Sequence, residues 1–357
     1  MNKNKKFKNH DEFMAMIEAK NQTDLHPKPF RTYQQLIGEL SSKHLIIDDP
    51  SLAIKTLKSR SYYGIINAFK DELTYRSDGK EFFEEGIKFS DLIFFYNIDS
   101  QLKSLLLRYT LLFETKYSQI IGQLLGLKYG NDMYRLLNNT DNFGTNKNFI
   151  DKEVRYFNKK MFDSTSTKFI RDYPTKHYRN KHLGIIPPWI LVQNLTLAEV
   201  NSLYDMLKIT DKRYIVSSLL FSSFRKIDDN LLESFKFSIE LIRNYRNKLA
   251  HNSRIIQSQI ALTQDFNYSL LTLMWGENFI SKEEFKNGIG NKDILSFIAF
   301  ICSYIDLNDQ NEFLLELTRL INRFEEDNLD ATHKYEEMAG IPIDFLDRLQ
   351  NIFLQFN

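Results

Sequence analysis

The residues of this chain best suited to chemistry lie close together, in the stretch RNYRNKLAHNSR that runs from Arg243 to Arg254. At 100° per residue, Arg243, Asn247, His251 and Arg254 follow one another at helical spacing and form a polar stripe. Arg246 lies beside that stripe, and its long side chain can lean toward it. These residue types suit one reaction in particular. Attack of a ribose 2′-OH on the adjacent phosphate needs a base for the hydroxyl proton and an acid for the leaving 5′-oxygen. It also needs fixed positive charge for the crowded phosphorus. A histidine titrates near neutrality and can be base or acid. An arginine stays charged and presents a fork of donors that matches phosphate oxygens. On this reading His251 transfers protons, Arg246 holds the scissile phosphate and Asn247 positions one or the other. Arg243, Lys248 and Arg254 would be further phosphate contacts. One histidine is thin for two proton transfers, so a symmetric dimer with two copies facing each other would complete the mechanism. The same pattern also describes a solvated basic face that binds RNA or a partner and cuts nothing, and spacing alone leaves both readings open.

The element that must carry these residues is a helix. Phe235, Ile239, Ile242, Tyr245 and Leu249 recur at offsets of 4, 7, 10 and 14 from the first and make one apolar stripe. Asp228 or Asp229 can cap its N-terminus. A second Arg/His pair, Arg171 and His177, differs because Pro174 falls between them and would interrupt a helix presenting both.

Residues 151–182 are a second candidate RNA contact. They hold nine Lys or Arg against four acids, interleaved with Tyr156, Phe157, Phe162, Phe169, Tyr173 and Tyr178. Cations contact phosphates and aromatic faces stack on unpaired bases, so Lys176, Arg179 and Lys181 are expected to contact single-stranded RNA.

The rest of the chain reads as helical. Thr32–Lys43 carries apolar residues at helical spacing, and Asp48-Asp49-Pro50 is a helix start leading into Leu52–Leu57. Ser100–Gly122 is apolar nearly all round, as in a buried helix. Arg108 and Glu114 on it are expected to emerge at the helix edge rather than to pair with the motif helix. Tyr62 and Tyr63 are expected in the core. Pro187-Pro188-Trp189 turns into a helical run at Leu197–Leu207, and a short helix is expected around Asp11–Ala19. With 13 Gly and 7 Pro the chain has little punctuation for many short strands.

Bulk properties bound the function classes. A 43% hydrophobic content is that of a folded protein. The single Cys302 rules out an intramolecular disulfide framework and a Cys-rich zinc site, and suits a reducing cytoplasm. No run of apolar residues approaches the roughly 18 needed to cross a bilayer, and the basic N-terminus is not followed by a secretory signal's apolar segment. The formal net charge of +1 conceals an asymmetry. Residues 277–348 carry 16 acids against 7 bases, leaving the rest of the chain basic. There is no phosphate-binding glycine loop, dinucleotide fingerprint or zinc helix. Acidic clusters such as Glu84-Glu85 and Glu325-Glu326-Asp327 are read as solvated faces. No metal and no cofactor is expected.

The motif RNYRNKLAHNSR resembles the R-N-x-x-x-H signature of the HEPN superfamily, carried here by Arg246, Asn247 and His251. Three further blocks, with the motif helix, resemble in order the abortive-infection (Abi) family of the AbiD/AbiF type. They are Lys28–Asp71 (KPFRTYQQLIGELSSKHLIIDD…), Phe89–Ile121 (FSDLIFFYNIDSQLKSLLLRYT…) and Ile186–Leu207 (IPPWILVQNLTLAEVNSLYDML). The resemblance implies an all-α HEPN-like helical bundle, dimerisation, metal-independent endoribonuclease activity, a role in phage defence and Arg246, Asn247 and His251 as the catalytic set. Some relatives resemble toxins restrained by a small RNA, which would make RNA both substrate and regulator. The expected organisation is a basic arm over residues 1–27, a helical Abi/HEPN domain over 28–262 and an acidic helical region over 263–357.

Overall fold

The protein, seen in a computed structural model, is described over residues 30–170, 173–220, 226–251, 255 and 266–354. The basic arm, the helix expected near Asp11–Ala19, Arg171 and Arg254 lie outside these residues. The described chain is all-α apart from one small hairpin, and it divides into two compact units, one ending at Leu92 and the other beginning at Ile93.

In the first unit, helix α1 (Tyr33–Ser42) starts with a capping box: the Thr32 hydroxyl accepts from the Gln35 amide, and the Gln35 side chain accepts from the Thr32 amide. Helix α2 (Pro50–Ser59) starts where Asp49 accepts from the amides of Ser51 and Leu52, each at 2.9 Å, with Pro50 in the first turn. A π-helical turn at Tyr63–Asn67 follows. Strands β1 (Thr74–Ser77) and β2 (Lys80–Phe83) then pair antiparallel. Asp78 and Gly79 between them have φ of +50° and +74°, the two left-handed residues of a type I′ turn. The Asp-Gly dipeptide was the signal for this hairpin, and helical pattern alone passes over it. Leu40, Leu57, Ile65, Phe69, Leu73 and Phe83 form the core. Tyr63 is not part of it. It is 72% exposed, because the π turn directs Ile65 and Ile66 inward instead. Tyr62 is half-buried.

The spine of the second unit is α3 (Phe89–Tyr129), roughly 60 Å long at 1.5 Å per residue. The helices that follow are α4 (Met133–Asn138), α5 (Lys147–Phe162), α6 (Tyr173–Lys181) and α7 (Pro188–Leu191). After them come α8 (Leu197–Met206), α9 (Ile209–Leu219), α10 (Asp229–Ala250), α11 (Tyr268–Trp275) and α12 (Lys282–Lys286). The last three are α13 (Ile294–Tyr304), α14 (Leu307–Ala339) and α15 (Phe345–Leu354). Every residue of α13 is buried, as an uncharged run ILSFIAFICSY must be. Around it, Phe113 and Tyr117 of α3, Phe235 of α10 and Tyr304 of α13 join in edge-on and stacked contacts with centroids 5.5–5.8 Å apart. The motif helix and the region after residue 262 therefore share one core. On α3, a Cβ on Gly126 would lie 2.8 Å from the Trp189 ring, and one on Gly122 2.9 Å from the Trp189 Cα. Only glycine lets α7 approach this closely.

Part of the acidity of the C-terminal region is used internally. Glu312 and Glu316 of α14 both bind Arg108, at 2.9 Å each, and Asp306 binds Lys116 at 2.8 Å. Arg108 is exposed, as expected of a helix edge. Glu336 of α14 is different. It is 1% exposed, and neither carboxylate oxygen has a hydrogen-bond partner among the described residues. Burial, helped by the Glu325 carboxylate, pushes it up to about 7 from a usual 4.5. The folded state therefore holds a proton that the unfolded chain releases between pH 4.5 and 7. Stability from this group is full below that window and falls as pH rises through it, by up to about 3 kcal/mol. Replacing Glu336→Met is expected to raise the urea midpoint at pH 8 and leave it little changed at pH 4.5. Equal midpoint shifts at both pH values would refute the assignment.

Candidate active site

Helix α10 starts where Asp228 Oδ1 accepts from the Leu231 amide at 2.9 Å and runs to Ala250. The apolar stripe Phe235, Ile239, Ile242, Tyr245 and Leu249 is buried throughout. The buried arc is wider than the stripe, since Phe237 also stacks on Phe266 at 4.1 Å, and Leu241 is enclosed as well. Tyr245 stacks on Phe297 of α13 at 4.7 Å. These contacts fix the rotation of α10 about its axis and so decide which residues face outward.

The outward residues are those of the motif. Asn247 and His251 are exposed, while Arg243, Arg246 and Lys248 are half-buried. His251 is the C-cap: its amide donates to the Asn247 carbonyl at 3.1 Å, and its ring has no partner among the described residues. The described helix thus ends one residue before the histidine.

Arg246 does not simply lean toward the polar face. Its Nε donates to Glu114 Oε1 of α3 at 2.8 Å, in a half-buried ion pair. Glu114, expected at a helix edge, instead faces the motif helix. The pair holds the guanidinium by one nitrogen. The two terminal nitrogens have no partner among the described residues, and they are the ones a phosphate would meet.

A second tie to α3 acts just beyond the motif. Asp99 is buried and pairs with Lys103 at 2.8 Å. Asp99 Oδ1 also accepts from the Ile255 amide at 3.2 Å and from the Tyr335 hydroxyl at 3.3 Å. The chain four residues after His251 is therefore pinned to the spine by a buried carboxylate. Sequence reading missed Asp99. An acid within the apolar run FSDLIFFYNID, four residues from Lys103, was the available sign.

The basic aromatic segment is spread over α5 and α6. Lys176 and Lys181 are exposed. Arg179 is engaged within the fold: Nη1 donates to the carbonyls of Met161 and Ile170 at 3.1 and 3.0 Å, and the guanidinium covers the Phe169 ring at 4.0 Å. Phe157 is buried, and Tyr156 and Lys160 both bind Glu199. Part of this segment's charge and aromatic surface is thus used in packing, while Lys152, Arg155, Lys159 and Lys168 are exposed beside Lys176 and Lys181. Helix α6 begins at Tyr173, so Pro174 sits in its first turn, where proline is tolerated.

Residues 55–257, which include Asp99, Glu114 and the whole motif, match the family model described as Abi-like protein. The chain belongs to the Abi-like protein family. The match spans more than half of the chain and ends just beyond the motif. It agrees with the abortive-infection resemblance read from the sequence blocks. No curated protein and no solved structure matches this Abi-like protein. No described helix is long and apolar enough to cross a membrane, and no group of three or more metal-ligating side chains occurs among the described residues.

Proposed function

We propose that this Abi-like protein is an endoribonuclease of the HEPN type that acts in abortive infection. The single observation that carries the proposal is the arrangement at the end of α10. There Arg246 is anchored through Nε by Glu114, beside an exposed Asn247 and an exposed His251 at the helix cap. An anchored arginine offers its outer nitrogens to a phosphate at little further entropic cost. His251, at the cap of the same helix, takes the proton from the 2′-OH, or gives one to the leaving 5′-oxygen. Two chains related by a two-fold axis would supply one histidine for each role. The strand is cut to a 2′,3′-cyclic phosphate and a 5′-hydroxyl, and no metal enters these steps. A small RNA bound to the outward cations would compete with substrate and restrain the activity.

The test is incubation of purified protein, stripped of nucleic acid, with single-stranded RNA in EDTA. Cleavage to cyclic-phosphate ends is expected, together with no cleavage of the same strand carrying 2′-deoxyribose throughout. Tight RNA retention without any product would overturn the nuclease assignment and make the motif a phosphate clamp in an RNA-binding module.

A further inference from the structure

The polar face of α10 continues toward its N-terminus. Lys236, Arg243, Asn247 and His251 are separated by 7, 4 and 4 residues and so lie along one line of the helix. Lys236 is exposed, Arg243 is half-buried, and neither forms an ion pair among the described residues. Opposite them stand the end of α8 and the start of α9. Tyr204 of α8 packs on Phe235 with ring centroids 5.2 Å apart, and the next residues, Asp205 and Lys236, interact electrostatically. Lys212 of α9 reaches over the same Tyr204 ring, its ammonium 5.4 Å from the centroid, and donates to the Asp205 main-chain oxygen at 2.8 Å. Arg213 of α9 holds the two helices together through Asp229 of α10 at 2.8 Å.

Three cations, Lys212, Lys236 and Arg243, thus gather around one half-buried carboxylate, Asp205. Its Oδ2 accepts from Asn201 Nδ2 at 3.1 Å. Glu153 of α5 also lies within electrostatic reach of Asp205. None of the three cations closes an ion pair on either acid. Burial raises Asp205 above the usual carboxylate range against the pull of all three, and burial lowers Lys212. A group of cations assembled at a helix junction, none of them in an ion pair among the described residues, is arranged for an anion from outside.

We propose that Lys212, Lys236 and Arg243 form a seat for a second phosphate of a single-stranded RNA, on the same face of α10 as Asn247 and His251. Arg243 and His251 are about 12 Å apart along the helix at 1.5 Å per residue. The seat therefore takes a phosphate further along the strand whose scissile group lies at Arg246 and His251. This rests on the ribonuclease reading for the identity of the strand, but its test does not require cleavage.

The experiment measures binding of a labelled single-stranded RNA, 2′-O-methylated throughout and so uncleavable, to the full chain across a salt series. Lys236→Ala and Lys212→Ala are each expected to weaken binding several-fold and to reduce the salt slope by about 1. Asp205→Asn is expected to act in the opposite direction and tighten binding, because it removes a negative charge from beside the phosphate. A cluster that served only the fold would not reverse sign in this way. Unchanged affinity and slope in Lys236→Ala, an exposed position whose loss leaves the core untouched, would overturn the seat. So would weaker binding by Asp205→Asn. Absence of cleavage by the wild type, with these binding shifts intact, would count against the nuclease reading alone.

Discussion

Replacing Asp99 by alanine is expected to destabilise the larger unit by about 3–5 kcal/mol, the cost of stranding one member of a buried ion pair. Asp99 and Lys103 are 4% and 8% exposed at their side chains, so water cannot replace the lost partner. The substitution also removes an acceptor shared by the Ile255 amide and the Tyr335 hydroxyl. Asp99→Asn keeps an acceptor oxygen for those donors but removes the negative charge that faces Lys103, so an intermediate loss is expected. Combining Asp99→Ala with Lys103→Met should recover part of the loss, because no isolated charge then remains. Urea denaturation checks the series. A loss below about 1 kcal/mol for Asp99→Ala would show that the interior admits enough water to solvate Lys103. Cleavage should fall along with stability, since Asp99 ties down the chain that follows His251.

Removal of the His251 imidazole is expected to slow RNA cleavage by about 10²–10⁴-fold, the usual share of a positioned proton-transfer group. The thermal midpoint should not move, because the ring is exposed and supports nothing else among the described residues. Arg246→Ala should be as damaging to the rate and also costly to stability, since it leaves Glu114 without its partner. Arg246→Lys preserves charge but not the fork, and the 2.8 Å bond from Nε to Glu114 cannot be reproduced by an ammonium that must also reach the phosphate. Glu114→Gln is a positioning change: the arginine remains but is less firmly held. Its expected signature is a loss of kcat larger than the change in RNA affinity. Wild-type rates from the His251→Ala protein would remove the histidine from the mechanism altogether.

Helices were legible because helix physics is short-ranged. The capping box at Thr32, the carboxylate caps at Asp49 and Asp228 and the stripe from Phe235 to Leu249 depend on residues within one or two turns of each other. The Asp78-Gly79 turn is equally local and could have been read, yet helical periodicity on both sides outweighed a dipeptide. Tyr63 was less accessible to such reasoning. Its neighbours are as apolar as a core demands, and it is the π turn that sends its ring outward.

The site shows the same division. Residue types and spacing alone determined that Arg246, Asn247 and His251 share the end of one amphipathic helix, because both the periodicity and the chemistry belong to a dozen consecutive residues. Only the tertiary structure decided that Glu114 holds Arg246, that Asp99 pins Ile255 and that Lys212 and Asp205 stand beside Lys236. Apart from the last neighbours on α8 to α10, these partners are separated by more than a hundred residues. Their meeting depends on how α10 is rotated against α3 and α13, and that rotation is set by the collective packing of aromatic side chains that no local pattern encodes.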